Sequence, residues 1–291
     1  MKDILIYFDA DKRPSPFDIL FAYDVGFDIV QTYSAVELDE ITGLVQDAMF
    51  PRGPKGAKRT TFFFGGSDLD LVEKMAHKAK KTTFPPFQMS IVVDPKGSHT
   101  TPSAIVAKVM EALSEQDETL EGKTAAVLGG CGKVGRVASR ILAAEGVDVL
   151  SFDVDEAVKD VAQQISEATG GNVQGVVASK PEEIVAAAQD CEIVISAGPA
   201  GVEILPEESL SELKACLVAA DVNAVPPTGL GGVEPSDDKE KKHGIVVIGA
   251  LAIGNLRNKL EGKMLKTAME SKGEFLNYEN AFEFAKELVE G

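Results

Sequence analysis

Residues Lys123 to Asp153 read KTAAVLGGCGKVGRVASRILAAEGVDVLSFD, and they constrain the fold more than any other stretch. Thr124 to Leu128 is a run of small and apolar residues, the signature of a strand buried on both faces. Gly130, Gly132 and Gly135 follow with the spacing G-x-G-x-x-G. The spacing of Val134, Ala138, Ile141 and Leu142 predicts a helix from about Val134 to Glu145. A second apolar strand, Val147 to Phe152, ends in Asp153, 23 positions after Gly130. Strand, glycine loop, helix, strand and acid together form the dinucleotide-binding fingerprint in its full context. Gly130 permits the tight turn, Gly132 lets a pyrophosphate approach the backbone, and Gly135 allows close packing of helix on strand. The helix N-terminus presents free N–H groups and a partial positive charge to the phosphates.

The cofactor set expected from this unit is Gly130, Cys131, Gly132, Lys133, Val134, Gly135 and Asp153, with Ala197, Gly198 and Asn223 from later loops. Asp153 accepts hydrogen bonds from the ribose hydroxyls and repels a 2′-phosphate. Asp155 and Glu156 add to that repulsion, whereas Lys133 and Arg136 oppose it. The balance favours NAD over NADP. Cys131 reads as a small filler beside the phosphates rather than a reactive thiol.

The remaining chain alternates strand and helix, which implies parallel sheets and an α/β class. Strands are expected at Ile4 to Phe8, Phe27 to Tyr33, Thr60 to Phe64 and Met89 to Val93. Helices are expected at Phe17 to Tyr23, Leu38 to Phe50, from Asp68 to about Lys80, and from about Ser103 to Leu113. The Pro/Gly/Lys-rich segment Pro51 to Arg59 reads as a loop. After the fingerprint, strands are expected at Val173 to Val177, Glu192 to Ser196, Cys216 to Ala220 and Ile245 to Ile248. The charge run Asp237 to Lys242 reads as a solvated loop. The C-terminal part reads as three helices, roughly Ala250 to Leu260, Lys263 to Glu270 and Tyr278 to Val289. The polar stretch Ser114 to Glu121 marks a boundary. The expected division is 1–118, a substrate domain; 119–254, a Rossmann domain; and 255–291, helices returning to the first domain.

In parallel sheets ligands bind beyond the carboxyl ends of the strands. In the first domain those ends lead into Asp9 to Phe17, the turn after Tyr33, Gly65 to Asp68, and Asp94 to Thr101. In the Rossmann part the matching loops are Gly130 to Gly135, Ala197 to Gly201 and Asn223 to Gly232. The two sets are expected to face one another across a cleft, as hydride transfer requires.

Composition removes several function classes. With 46 acids against 29 bases the net charge is −17, the opposite of a nucleic-acid footprint. Cys131, Cys191 and Cys216 lack metal-ligand spacing and fit a reducing compartment. His77, His99 and His243 are isolated, and no G-x-S-x-G, H-E-x-x-H or P-loop lysine motif is present. No metal is expected. With no signal peptide and no apolar run near ~20 residues, a cytoplasmic protein is expected.

Seven further segments carry a family resemblance: FDADKRPSPFD (Phe8 to Asp18), AYDVGFD (Ala22 to Asp28), FFFGGSD (Phe62 to Asp68), FPPFQMSIVVDPKGSHTT (Phe84 to Thr101), SAGPAGVEILP (Ser196 to Pro206), DVNAVPPTGLGGVE (Asp221 to Glu234) and IGALAIGNLRNKL (Ile248 to Leu260). Over nearly its whole length the chain resembles the NAD(P)-dependent methylene-tetrahydromethanopterin dehydrogenases of methylotrophic and related bacteria, some of which also act on methylene-tetrahydrofolate. The resemblance implies an N-terminal pterin domain followed by a Rossmann domain. It also implies a homo-oligomer, with a trimer suspected, and oxidation of a methylene bridge to a methenyl cation by hydride transfer to the nicotinamide. Two ring nitrogens flank the bridge carbon and expel the hydride, so no base, nucleophile or metal is required. Positioning and electrostatics then do most of the catalysis.

By the same resemblance, Thr100, Thr101, Arg257 and Lys259 are candidates at the reacting centre. Thr100 and Thr101 also have the residue type and position to cap the following helix, and the two roles can coexist. Where the family pattern has a lysine, this chain has Arg257, with Lys259 two residues on. Asp9, Asp11, Ser15, Phe17, Asp18, Asp94, Ser98 and His99 are candidates for holding the pterin, with capping or bracing a turn as the alternative for Asp9, Asp11 and Asp18. Alternatives are a methylene-tetrahydrofolate dehydrogenase, a shikimate-dehydrogenase-like oxidoreductase and a non-catalytic NAD-binding sensor.

Overall fold

A computed structural model describes residues 1–271 and 273–290. The chain forms two compact units, Met1–Thr100 with Asn258–Phe284, and Thr101–Arg257 with the residues from Ala285 on.

The first unit opens with β1 (Ile4–Asp9), α1 (Pro16–Val25), β2 (Ile29–Tyr33), α2 (Ile41–Met49), α3 (Gly53–Ala57), β3 (Thr60–Gly65), α4 (Leu69–Thr82) and β4 (Ser90–Val93). Strands β4, β3, β1 and β2 lie side by side, all parallel. Every residue of β3 and β4 is buried, which is why TTFFFG and SIVV read as continuous small and apolar runs without alternation. Phe8 sits 5.4 Å from both Phe62 and Phe64, ring to ring. On this aromatic ladder pack Ile41, Val45 and Met49 of α2 and Val72, Met75, Ala76 and Ala79 of α4. Ser15 caps α1, and the Asp68 carboxylate accepts from the Leu71 N–H to cap α4. The segment read as a loop at 51–59 contains α3. Pro54 stands in its first turn, where a proline's missing N–H costs nothing.

The second unit contains α5 (Thr100–Ser114), β5 (Thr124–Leu128), α6 (Lys133–Ala144), β6 (Asp148–Asp153), α7 (Ala157–Thr169), β7 (Val173–Val177), α8 (Pro181–Ala187), β8 (Ile193–Ser196), α9 (Glu207–Glu212), β9 (Val218–Asp221), β10 (Asp238–Lys242) and β11 (Ile245–Ile248). The sheet order is β10-β11-β9-β8-β5-β6-β7. Six strands are parallel in the doubly wound Rossmann order, and β10 adds an antiparallel edge. The charge run read as a solvated loop at 237–242 is this edge strand. Two of its three lysines are held by acids, Lys239 by Glu111 at 2.9 Å and by Glu115, and Lys242 by Asp237 at 2.6 Å. A charged edge strand protects a sheet from pairing with another chain. Lys108 of α5 pairs with Asp238 at 2.7 Å. Such contacts place α5 with the second unit, whose first residue is Thr101.

Two of the expected C-terminal helices are one, α10 (Ala250–Glu270), followed by β12 (Phe275–Leu276) and α11 (Tyr278–Glu290). Gly262 does not break α10. A helical glycine costs ~1 kcal/mol, and Leu260, Met264, Leu265 and Ala268 around it are all buried. Strand β12 joins the first sheet beside β4, an element with no recognisable periodicity at two residues. Among the described residues no helix is long and apolar enough to cross a membrane.

Candidate active site

The reversal of strand order between β5 and β8 opens a crevice beyond their carboxyl ends. The Gly129 and Gly130 N–H groups both donate to the Phe152 carbonyl, at 2.9 and 2.8 Å, folding the loop back over β6. A Cβ on Gly135 would overlap the Gly129 carbonyl oxygen, and one on Gly130 would overlap Ser151 Oγ. A Cβ on Gly132 would meet the Gly129 oxygen at 3.2 Å and the Ala197 oxygen at 3.8 Å, with no overlap. Gly132 is also the N-cap of α6 and offers no side-chain cap, so the helix N–H groups there stay available to a ligand. The crevice has a volume of about 630 Å³, and its lining includes Gly132, Lys133, Val134, Asp153, Ala197 and Gly198, with Phe152, Val154, Ala178 and Ile184 as an apolar wall. These residues fit a dinucleotide: a phosphate cradle, an acid for a ribose and a greasy slot for a base.

Asp153 is oriented before any ligand arrives. Its Oδ2 accepts from the Cys131 N–H at 2.8 Å and its Oδ1 from the Asp155 N–H at 3.2 Å. Burial, reinforced by the Asp153 charge, pushes the Cys131 thiol up to about 11, so it stays protonated at neutral pH. Asn223 lies outside the crevice lining, but its Nδ2 donates to the Pro199 carbonyl at 3.4 Å, tying together the loops after β8 and β9. Asp221 underlies both. Fully buried at the end of β9, it accepts from the Asn223 N–H at 2.9 Å and the Leu230 N–H at 2.8 Å, and burial holds its carboxyl above the usual range. Sequence reasoning missed this role. The signal was available in an acid ending an apolar strand, as at Asp153.

In the first unit the strand ends gather a polar cluster. Asp9 is completely buried; its Oδ1 accepts from the Asp11 N–H at 2.7 Å and its Oδ2 has no hydrogen-bond partner. Burial raises its carboxyl above the usual range. The Tyr7 hydroxyl donates to Asp18 Oδ2 at 2.8 Å, and burial pushes the phenol upward. Asp11 accepts from the Ser67 N–H (3.1 Å) and hydroxyl (2.6 Å), and pairs with Lys96 at 2.9 Å. Ser15 is committed to its cap, accepting from the Asp18 N–H. Phe17 stacks on Phe21 with centroids 4.7 Å apart and keeps 40% of its surface exposed.

The loop after β4 is stitched to itself. Asp94 accepts from the N–H groups of His99 (2.8 Å) and Thr100 (3.2 Å) and from the Thr100 hydroxyl (2.6 Å). The Asp94 carboxylate thus takes N–H groups at the start of α5. Ser98 Oγ donates to the Pro95 carbonyl at 2.7 Å. His99 is buried, with Nε2 3.1 Å from Glu73 Oε1 and its ring edge-on to Tyr278 at 5.6 Å. Arg257 is half-buried and Lys259 exposed on α10, and they fall in different compact units. The structure therefore gathers Asp9, Asp11, Asp18, Asp94, Ser98, His99 and Thr100 into internal networks. Tyr7, Ser67, Glu73 and Lys96, which sequence reasoning did not select, complete those networks. Among the described residues no group of three or more His, Cys, Asp or Glu is placed to hold a metal ion.

Residues 16–96 match the family model "Methylene-tetrahydromethanopterin dehydrogenase, N-terminal". The chain is 38% identical over 284 residues, 96% of each chain, to an "NAD(P)-dependent methylenetetrahydromethanopterin dehydrogenase" of Methylorubrum extorquens. It is 32% identical over 290 residues, 99% of each, to the "Bifunctional protein MdtA" of the same organism. Among solved structures, a shikimate 5-dehydrogenase from Listeria monocytogenes aligns over 99% of this chain and 96% of its own, with TM-score 0.51 and 15% identity. That likeness shows the α/β fold alone.

Proposed function

The chain belongs to the methylene-tetrahydromethanopterin dehydrogenase family, and on that premise we propose that it oxidises methylene-tetrahydromethanopterin to the methenyl form with NAD(P) as hydride acceptor. The observation that carries the reading is the crevice at the β5/β8 reversal, with Gly132 open to a pyrophosphate and Asp153 already oriented for a ribose. The nicotinamide supplies the hydride-accepting carbon when bound. The chain's own residues bind and orient. The α6 N–H groups hold phosphate, and Phe152, Val154, Ala178 and Ile184 exclude water from the base. The Asp221 clasp fixes the loops after β8 and β9. NAD is the preferred form, because Asp153 and Asp155 put negative charge where NADP carries a 2′-phosphate. Substrate is held by the strand-end loops of the first unit, with Phe17 offering an exposed ring and Asp11 a partly exposed carboxylate. Thr101 serves the reacting centre, with Thr100 fixing the start of α5 through its bonds to Asp94, and Arg257, with Lys259 beside it, stands in for the family lysine. The protein works in the cytoplasm as a homo-oligomer.

The deciding assay mixes purified protein with NAD or NADP and either methylene-tetrahydromethanopterin or methylene-tetrahydrofolate, and follows nicotinamide reduction. Reduction with the methanopterin carrier is expected, faster with NAD. No reduction with either carrier overturns the reading.

A further inference from the structure

We propose that Lys96 is the residue through which the loop after β4 touches the substrate, its ammonium donating to an acceptor on the reduced pterin. This inference rests on the dehydrogenase reading above. From Asp94 to Thr100 every residue is buried except Lys96, whose side chain keeps 39% of its surface exposed. The loop's other side chains are turned inside the first unit and buried: Asp94 accepts from His99 and Thr100, Ser98 donates to the Pro95 carbonyl, and His99 sets Nε2 against Glu73 and its ring against Tyr278. Ligand recognition by this loop therefore falls to Lys96.

Two further observations separate Lys96 from an ordinary surface lysine. Its backbone stands in the left-handed region, at φ 51° and ψ 47°. That conformation costs a residue with a Cβ and persists where the surroundings over-determine it, as they do at functional sites. Glycine would fill the position without strain, and Gly97 beside it shows that glycine is admissible in this loop. Its ammonium is also aimed. Asp11 holds it at 2.9 Å, and Asp11 is itself fixed by two hydrogen bonds from Ser67. The ends of β1 and β3 thus fix the direction of a cation carried by the loop after β4. Asp11 is its one ion-pair partner among the described residues, which leaves N–H donors for a ligand.

The test uses the full chain and three variants, K96G, K96M and K96R, with methylene-tetrahydromethanopterin as the probe. K96G relieves the backbone and removes the ammonium. It is expected to melt at or above the wild-type temperature while its KM for the pterin rises at least tenfold and its KM for NAD(P) is unchanged. K96M is expected to show the same KM split, and K96R to recover most of the pterin affinity. If the wild type is active and K96G and K96M keep its pterin KM within twofold, the inference is wrong. It is equally wrong if K96G melts lower and both KM values rise together, since Lys96 would then be a structural brace. A wild type inactive with every carrier instead removes the dehydrogenase reading itself, a separate result.

Discussion

Glycines 132 and 135 lie three residues apart and do different jobs. A methyl group on Gly135 would run into the Gly129 carbonyl, a backbone atom with nowhere to go. Gly135→Ala is expected to destabilise the protein by ~1–3 kcal/mol, read as a lower melting temperature. Gly132→Ala meets the Gly129 oxygen at 3.2 Å and the Ala197 oxygen at an ordinary 3.8 Å, so it is expected to fold nearly as well and to lose dinucleotide affinity at least tenfold in a titration. Equal losses of stability in the two variants would contradict this division. Asp153→Ser removes the charge that opposes a 2′-phosphate, so its KM for NADP should fall relative to NAD; an unchanged NADP KM would show that Asp153 does not set the preference. Asp9 carries a pH prediction. Its native carboxyl is raised above the ordinary value of 3.8 by burial, so the folded state holds the proton more tightly than the unfolded one. Its contribution to stability is full below about 3.8 and is lost as pH rises through the folded value. Asp9→Asn, which cannot ionise, should therefore gain melting temperature over wild type at pH 8 and not at pH 3. A larger gain at pH 3 would reverse the assignment.

At the scale of elements, capping and edges decide more than propensity does. Helix α4 begins where the Asp68 carboxylate takes the Leu71 N–H at 3.0 Å. Asp68→Ala should cost about 1 kcal/mol in chemical denaturation while leaving both KM values alone, since the Asp68 carboxylate is engaged by the Leu71 N–H. A change in pterin KM would mean that the loop after β3 responds to the cap. Strand β10 and helix α3 illustrate why some elements were hidden. Residues 238–242 read as DKEKK, with neither apolar alternation nor β-branched residues. They become a strand because β11 offers an open edge and because Glu111, Glu115 and Asp237 neutralise Lys239 and Lys242. A partner strand and acids as far as 128 residues away create the element, and its own residue pattern does not. The fingerprint strands and helix, by contrast, were legible to within a residue or two, because their burial and spacing are encoded locally in Val127, Leu128, Ala138, Ile141 and Leu142.

For the whole molecule, a net charge of −17 means that self-repulsion opposes the compact state. Raising ionic strength from about 0.01 to about 0.1 M shortens the Debye length from ~30 to ~10 Å, and the melting temperature is expected to rise. A fall would mean that attractive pairs such as Lys108–Asp238 and Lys123–Glu192 outweigh the repulsion. The order of strands and helices, the nucleotide crevice and its glycines follow from periodicity and steric need, and both are written in neighbouring residues. So is the family, through segments such as DPKGSHTT. Which of those residues face a ligand is another matter. Ser98, His99 and Thr100 have the chemistry of a binding loop, yet the fold turns them inward and spends their polar groups on Pro95, Glu73 and Asp94. Lys96 faces outward because a left-handed turn and the carboxylate of Asp11, 85 residues earlier in the chain, aim it there. Local sequence sets an element's type. The pairing of buried polar groups across long separations sets its orientation, because leaving such a group without a partner is costly, and only the folded chain shows which partner it finds.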